Sequence, residues 1–160
     1  MQHRLTQALA LLSTGLLAGV FYYGTFTVVP AFFEVPIEVH LQYRVALMNH
    51  NAYYVQILTG VAIIFPVVYA LVSGKNPAVR RLATAAAIAA LISILVTRFG
   101  NVPVNRLMRV WEAGRPPENW REILDRWNMF NNIRTVFALA SFILVIIATQ
   151  VRGNEAAPKK

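Results

Sequence analysis

From Leu5 to Phe33 the chain carries no charged residue. A helix needs roughly 20 apolar residues to cross a bilayer's hydrocarbon core, and this block exceeds that. Three more apolar blocks follow: Tyr53 to Ser73, Leu82 to Thr97 and Thr135 to Val151. Peptide groups in hydrocarbon have no water to bond, so each block must satisfy its own backbone as a helix. A soluble bundle would instead show polar stripes at helical period along these blocks, and they are largely missing. The pattern predicts an all-α fold, a four-helix transmembrane bundle, with short amphipathic helices in the first and third connections. The spans are expected at about 5–33, 53–73, 80–100 and 131–151, within one integral membrane domain over 1–160 that ends in a polar tail at 152–160.

Composition agrees. Hydrophobic residues make up 57% of the chain and charged residues 14%, whereas about 25% of an ordinary soluble domain is charged. The net charge of +8 would suit nucleic acid, but the basic residues sit mainly at segment ends, where they anchor to lipid headgroups and signal topology. The expected partner is therefore the lipid bilayer, with no nucleic acid. The first apolar run is about twice the length of a signal-peptide core and no cleavage site follows a short run, so it is expected to be retained. No cysteine is present, which excludes the thiol exchange of disulfide-forming membrane enzymes.

Arg4, Lys75, Arg80, Arg81, Arg152, Lys159 and Lys160 fall on one side of the bilayer, with Glu155 as the only acid there. The other side holds eight arginines and six acids. Raw basic counts barely differ. All three lysines lie on the first side, however, and several arginines of the second read as site residues. Both termini are accordingly expected on the cytoplasmic side of a multi-pass protein.

The first helix contains GLLAG at 15–19, a spacing that lets helix backbones approach closely. Packing within the chain is the leading reading, and a homo-oligomer formed through this face is the alternative. The connection EVPIEVHLQYRVALMNHN, residues 34–51, spaces Ile37, Leu41, Val45 and Met48 on one helical face, which predicts a short helix at the membrane surface. Pro66 is expected to kink the second helix. In SGKNPAVRR, Asn76 is the expected cap and Pro77 the first helical residue. The alanine-rich LATAAAIAALIS predicts a closely packed third helix. That helix should bend or stop after Gly100 and Pro103, because Pro103 lacks an amide hydrogen and its ring crowds residue 99. Trp111, Trp120 and Trp127 read most simply as interfacial anchors.

Two polar clusters stand where the apolar blocks break: RFGNVPVNRL at 98–107 and RWNMFNNIRT at 126–135. Arg98, Asn101 and Asn105 share one face if the helix survives Pro103, and Trp127, Asn131 and Arg134 share a face of the fourth helix. Antiparallel helices put both clusters, and the first connection with His40 and His50, at one end of the bundle. Ionisable groups at such depth usually face a partner or the bundle interior. One reading is snorkelling of Arg98 and Arg134 to headgroups. The other, which the convergence of arginines and carboxamides favours, is a polar pocket that holds an anionic or enolisable oxygen.

Glu34, Glu38, His40 and His50 carry ligand atoms, but at no recognised metal spacing, and no metal is expected. Haem between helices would need histidines within the spans, and His3, His40 and His50 lie outside them. A proton-coupled transporter usually needs an acid within a span. None of the seven acids is there, so transport stands as a third, weaker class.

Four helices, an N-x-P-x-N element (NVPVN, 101–105) and a W-x3-N-x2-R element (WNMFNNIR, 127–134) resemble the DUF1772 family, which includes the fungal anthrone oxygenases. The resemblance covers roughly Leu5 to Val151. It implies a four-helix integral membrane protein and, in the characterised branch, oxidation of a polycyclic anthrone to an anthraquinone by molecular oxygen, with no cofactor: neither metal nor flavin. By motif match, Asn101, Asn105, Asn131 and Arg134 are the implied catalytic residues. Trp127 lines the site, and Arg98, His40 and His50 join as substrate-binding candidates. Either histidine would serve as base by intrinsic pKa. The chain departs from the motif at Asn132, an extra asparagine that leaves open which carboxamide faces the pocket. The expected function is oxidation of a hydrophobic, enolisable aromatic substrate by oxygen in that pocket. The alternative is a non-enzymatic membrane protein that binds a lipid, quinone or partner helix there.

Overall fold

The structure, a computed structural model, describes residues 2–74 and 76–156. Of the residues used to orient the chain, Lys75, Lys159 and Lys160 lie outside the described residues, as does the side chain of Arg152. Helix α1 (Gln2–Tyr23) passes through a π-helical turn (Gly24–Val28) into α2 (Val29–Phe32). A short connection leads to α3 (Ile37–Val72). Helix α4 (Pro77–Val96) passes through a second π-helical turn (Thr97–Asn101) into α5 (Val102–Glu112), and α6 (Trp120–Ala156) follows. The result is four antiparallel rods, each long and apolar enough to cross a membrane, with apolar spans at His3–Phe32, Tyr53–Val72, Pro77–Glu112 and Trp120–Val151. The rods form a ring: α1 packs on α3, α3 on α4, α4 on α6, and α6 closes on α1. Leu12, Leu16, Phe26, Leu71 and Phe99 point outward, as lipid-facing side chains must.

The third rod does not stop at Pro103. It runs on to Glu112 by loosening its backbone first. Val102 donates its N–H to the Thr97 carbonyl, five residues back. Pro103 would strike the carbonyl of Phe99 in a regular helix, and Phe99 lies inside this wider turn. The first rod repeats the device. Val29 donates to the Gly24 carbonyl, and Phe26, whose carbonyl the Pro30 ring would meet, lies inside the wide turn. Each rod thus places a proline directly beyond a π turn, and both turns border the same end of the bundle. Such turns concentrate at functional sites.

The amphipathic stretch after Pro36 is helical, but it is no separate element. It is the first part of α3, which continues through Pro66. Its inner face packs into the bundle: Leu41, with Ile37 and Met48 beside it, meets the end of the molecule that holds Met108, Trp111, Leu124 and Trp127, and Val45 is buried as well. WREILDRW likewise begins α6 without a break. Trp111 and Trp127 are buried rather than interfacial, and Trp120 is half-buried.

Small residues set the spacing between rods. Ala83, Ala86, Ala87 and Ala90 of α4 are buried, and the Ser141 hydroxyl on α6 reaches the Ala86 carbonyl at 2.9 Å. A Cβ at Gly15 would sit 3.1 Å from the Phe142 ring, so this half of the GxxxG pair packs within the chain. At Gly100 the approach is closer still: a Cβ would lie 2.3 Å from Cγ of Phe130. Asn76 caps α4, accepting from the amides of Ala78 at 3.1 Å and Val79 at 3.0 Å, with Pro77 opening the helix.

Candidate functional site

A cavity of about 430 Å3 lies between the first π turn, the start of α3, the second π turn with α5, and the start of α6. Its walls are mostly apolar: Phe21, Val28, Phe32, Met48 and Val55 contribute. Four arginines, Arg44, Arg106, Arg109 and Arg134, line it, and among the described residues no Asp or Glu does. Ligand cavities of 300–1,000 Å3 with few, placed polar groups are the norm for small molecules.

On the α6 wall, Trp127, Asn131 and Arg134 stand at helical spacing and all line the cavity. The Arg134 guanidinium donates twice to Oδ1 of Asn131, from Nε at 3.1 Å and Nη2 at 2.7 Å. Asn131 in turn donates from Nδ2 to the Thr25 hydroxyl at 2.8 Å. The Thr25 hydroxyl donates to that of Thr135 at 2.7 Å, because Thr135 spends its own hydrogen on the Asn131 carbonyl at 2.8 Å. The guanidinium also sits 4.4 Å from the Phe21 ring centroid and 5.5 Å from that of Trp127. Neutral groups and ring faces therefore surround the charge. From the backbone of the same residue, the Arg134 carbonyl accepts the Ser93 hydroxyl at 2.9 Å, which fixes α6 against α4.

The second π turn and α5 supply one carboxamide each, Asn101 and Asn105. Asn105 lines the cavity and accepts the Trp127 indole N–H at 2.8 Å. Asn101 is fully buried behind it and donates Nδ2 to the Trp127 carbonyl at 2.9 Å. Both asparagines of the NVPVN element therefore hold Trp127, one at its ring and one at its backbone. Oδ1 of Asn101 has no hydrogen-bond partner among the described residues.

Arg44 on α3 is a charged residue of the site that the sequence pattern did not single out. It is 3% exposed, lines the cavity and places its guanidinium 3.9 Å from the Trp127 ring centroid. Trp127 thus stands near two cations, Arg44 and Arg134. Nη1 of Arg44 donates to Nε2 of His40 at 2.9 Å, and Nη2 has no partner among the described residues. Burial first, and the neighbouring charge of Arg134 second, lower the Arg44 pKa from its ordinary value to about 9. It remains charged at neutral pH. His40 is held in the other direction from a base near neutrality: burial, then Arg44, lower its pKa to about 4, partly opposed by a hydrogen bond to the Phe32 backbone. The ring stacks on Phe32 with centroids 5.0 Å apart. Since a guanidinium only donates, Nε2 must be the acceptor and the imidazole neutral.

The expected site residues divide. Asn105, Trp127, Asn131 and Arg134 line the cavity, with Asn101 and His40 buried in the layer behind it. Arg98 and His50 are exposed and do not line it. Arg98 departs from the face of Asn101 and Asn105 because it lies inside the π turn, whose wider pitch shifts the angular phase of its residues. Of the paired asparagines, Asn131 is 1% exposed and faces inward, whereas Asn132 is exposed. Besides Arg44, the reading missed Thr25, Thr135 and Phe21. One signal was available for Arg44: it stands four residues after His40 and next to Val45, on the buried side of an amphipathic run.

Residues 46–144 match the family model described as anthrone oxygenase. No curated protein and no solved structure matches the chain.

Proposed function

The chain belongs to the anthrone oxygenase family, and from that premise we propose that it oxidises a flat, enolisable aromatic ketone with molecular oxygen in the cavity between the two π turns. One observation carries the reading: an apolar cavity of about 430 Å3 lined by guanidiniums and carboxamides and by no carboxylate. Fixed positive charge held in place among apolar walls favours ligands that become negative, because such a site needs little reorganisation as the charge develops.

The chemistry is that of an anthrone. Loss of a benzylic proton to water leaves the electron pair in an enolate whose oxygen carries the charge. The enolate passes one electron to oxygen, and the carbon radical recombines with superoxide as a peroxide. The O–O bond then breaks with loss of the second benzylic hydrogen as water. The sum is anthrone plus O2 giving anthraquinone plus water. Arg134 stabilises the enolate oxygen, and its position is set by Asn131 and Thr25. Asn105 orients Trp127, whose ring forms a flat wall for the substrate. His40 has both ring nitrogens engaged and serves this scheme as a support rather than as the base. With both termini cytoplasmic, the cavity faces the opposite side of the bilayer; reporters fused to either terminus would read this directly.

The test is oxygen uptake by purified protein in detergent, supplied with a simple anthrone. Uptake should disappear in Arg134→Ala and fall strongly in Asn131→Ala, and should persist in Asn132→Ala. Equal uptake in all four proteins would remove the cavity from the reaction. A copurifying lipid or quinone with no uptake in any of them would favour the binding module.

A further inference from the structure

Among the described residues of the site, Arg44 carries the charged donor that is buried and unspent. Its Nη1 is used by His40 and its face by Trp127, while Nη2 has no partner among the described residues. Leaving a buried guanidinium N–H unpaired is costly, and a buried charge with no counterion is more so. Arg106 and Arg109 line the same cavity but are exposed. Arg44, at 3% exposed, has no such recourse. It also lies outside the stretch that matches the family, residues 46–144.

We propose that Arg44 is an oxyanion receptor: Nη2 binds an ionised oxygen, carboxylate or enolate, on a flat aromatic ligand in the cavity, and His40 is the positioning residue that holds the guanidinium in place. The choice of an aromatic ligand rests on the oxygenase reading; the need for an oxyanion does not. The Trp127 ring under Arg44, with Phe21 and Phe32 along the wall, suits a planar ring system. The guanidinium lies over the Trp127 ring, and His40 fixes its orientation through Nη1. A neutral imidazole suits this role, because it accepts from Nη1 and adds no second positive charge. Arg44 keeps its proton at neutral pH despite its burial, so it meets the ligand as a cation.

Binding can be measured apart from turnover. The full chain in neutral detergent at pH 7 is titrated with anthraquinone-2-carboxylate and with the uncharged anthraquinone-2-carboxamide. A charge-assisted hydrogen bond in this site should favour the carboxylate by roughly tenfold or more. Arg44→Gln should abolish that preference while leaving carboxamide affinity within about threefold, where a factor of ten is the unit of significance. His40→Asn, which retains an acceptor for Nη1, should keep the preference, and His40→Leu should lose it. That pair decides the matter if Arg44→Gln does not fold. A wild-type chain with no preference, or a preference that survives Arg44→Gln or His40→Leu, overturns the proposal. Phosphatidylglycerol is titrated in parallel. If it binds in an Arg44-dependent way and the carboxylate does not, the aromatic ligand is overturned in favour of a lipid headgroup. Oxygen uptake on the same preparations separates the two readings. Carboxylate preference without uptake keeps the receptor and removes the oxygenase; uptake without preference does the reverse.

Discussion

Adding one methyl group at Gly100 should pull the site apart from a position that touches no ligand. A Cβ built there lies 2.3, 2.6 and 2.8 Å from Cγ, Cδ1 and Cβ of Phe130. Carbon atoms pack at about 3.5–4.0 Å, so the shortfall is roughly 1 Å at all three. Cγ and Cβ are close to the α6 backbone, and a rotamer change cannot carry them clear. The second π turn and α6 must separate instead. One hydrogen bond spans that seam, Asn101 to the Trp127 carbonyl at 2.9 Å, and a second stands one turn away on α4, Ser93 to the Arg134 carbonyl at 2.9 Å. Overpacking of this kind costs about 1–3 kcal/mol, and a strained interhelical hydrogen bond in a membrane bundle adds about 0.6 kcal/mol. Gly100→Ala should therefore destabilise the protein by roughly 2–4 kcal/mol from those two sources. The assay is reversible unfolding in mixed micelles, run as a double-mutant cycle with Phe130→Ala. The double variant should be more stable than the sum of the two single effects predicts, by about 1 kcal/mol or more. A Gly100→Ala protein within about 0.5 kcal/mol of wild type, or additivity in the cycle, would refute the contact as the reason for glycine.

Three further outcomes follow from the same geometry. Gly24 lines the cavity and a Cβ there meets nothing within 4 Å, so Gly24→Leu should leave unfolding unchanged while blocking ligand binding in the same titrations. Removing the Asn131 side chain leaves two donors of Arg134 without their acceptor and takes one of the two partners of the Thr25 hydroxyl, and should cost roughly 1–3 kcal/mol per buried group left unpaired, whereas Asn132→Ala should change stability by less than about 0.5 kcal/mol; thermal melts of the two variants compare them directly. His40 is pushed from 6.5 to about 4 on folding, so the unfolded chain binds its proton first as pH falls. Stability should be fully present above pH 6.5 and decline as pH falls toward 4, and unfolding midpoints of His40→Gln should lack that component of the slope.

Hydropathy alone determined the bundle. Helices in hydrocarbon satisfy their own backbone, so four long apolar blocks leave few other choices, and short connections make neighbours antiparallel. The Asn76 cap was also written locally, in an asparagine followed by proline. So were the two polar clusters, because carboxamides and arginines at the edge of an apolar span are conspicuous wherever the span lands. What the sequence left open depends on angular phase and on distance between rods. Pro103 signals an end to a helix, and only the packed third rod shows that a π turn absorbs it and rotates Arg98 away from Asn105. Asn131 and Asn132 are equivalent on paper; a rotation of one residue on α6 buries one and exposes the other. Arg44 reads as one more interfacial charge until α3 is seen to continue through the first connection and press it against Trp127. Residues far apart in sequence, Thr25 with Thr135 and Arg44 with Trp127, meet because four rods close into a ring. That closure rests on small residues and a Gly100–Phe130 contact, and no local pattern records which rod they will face.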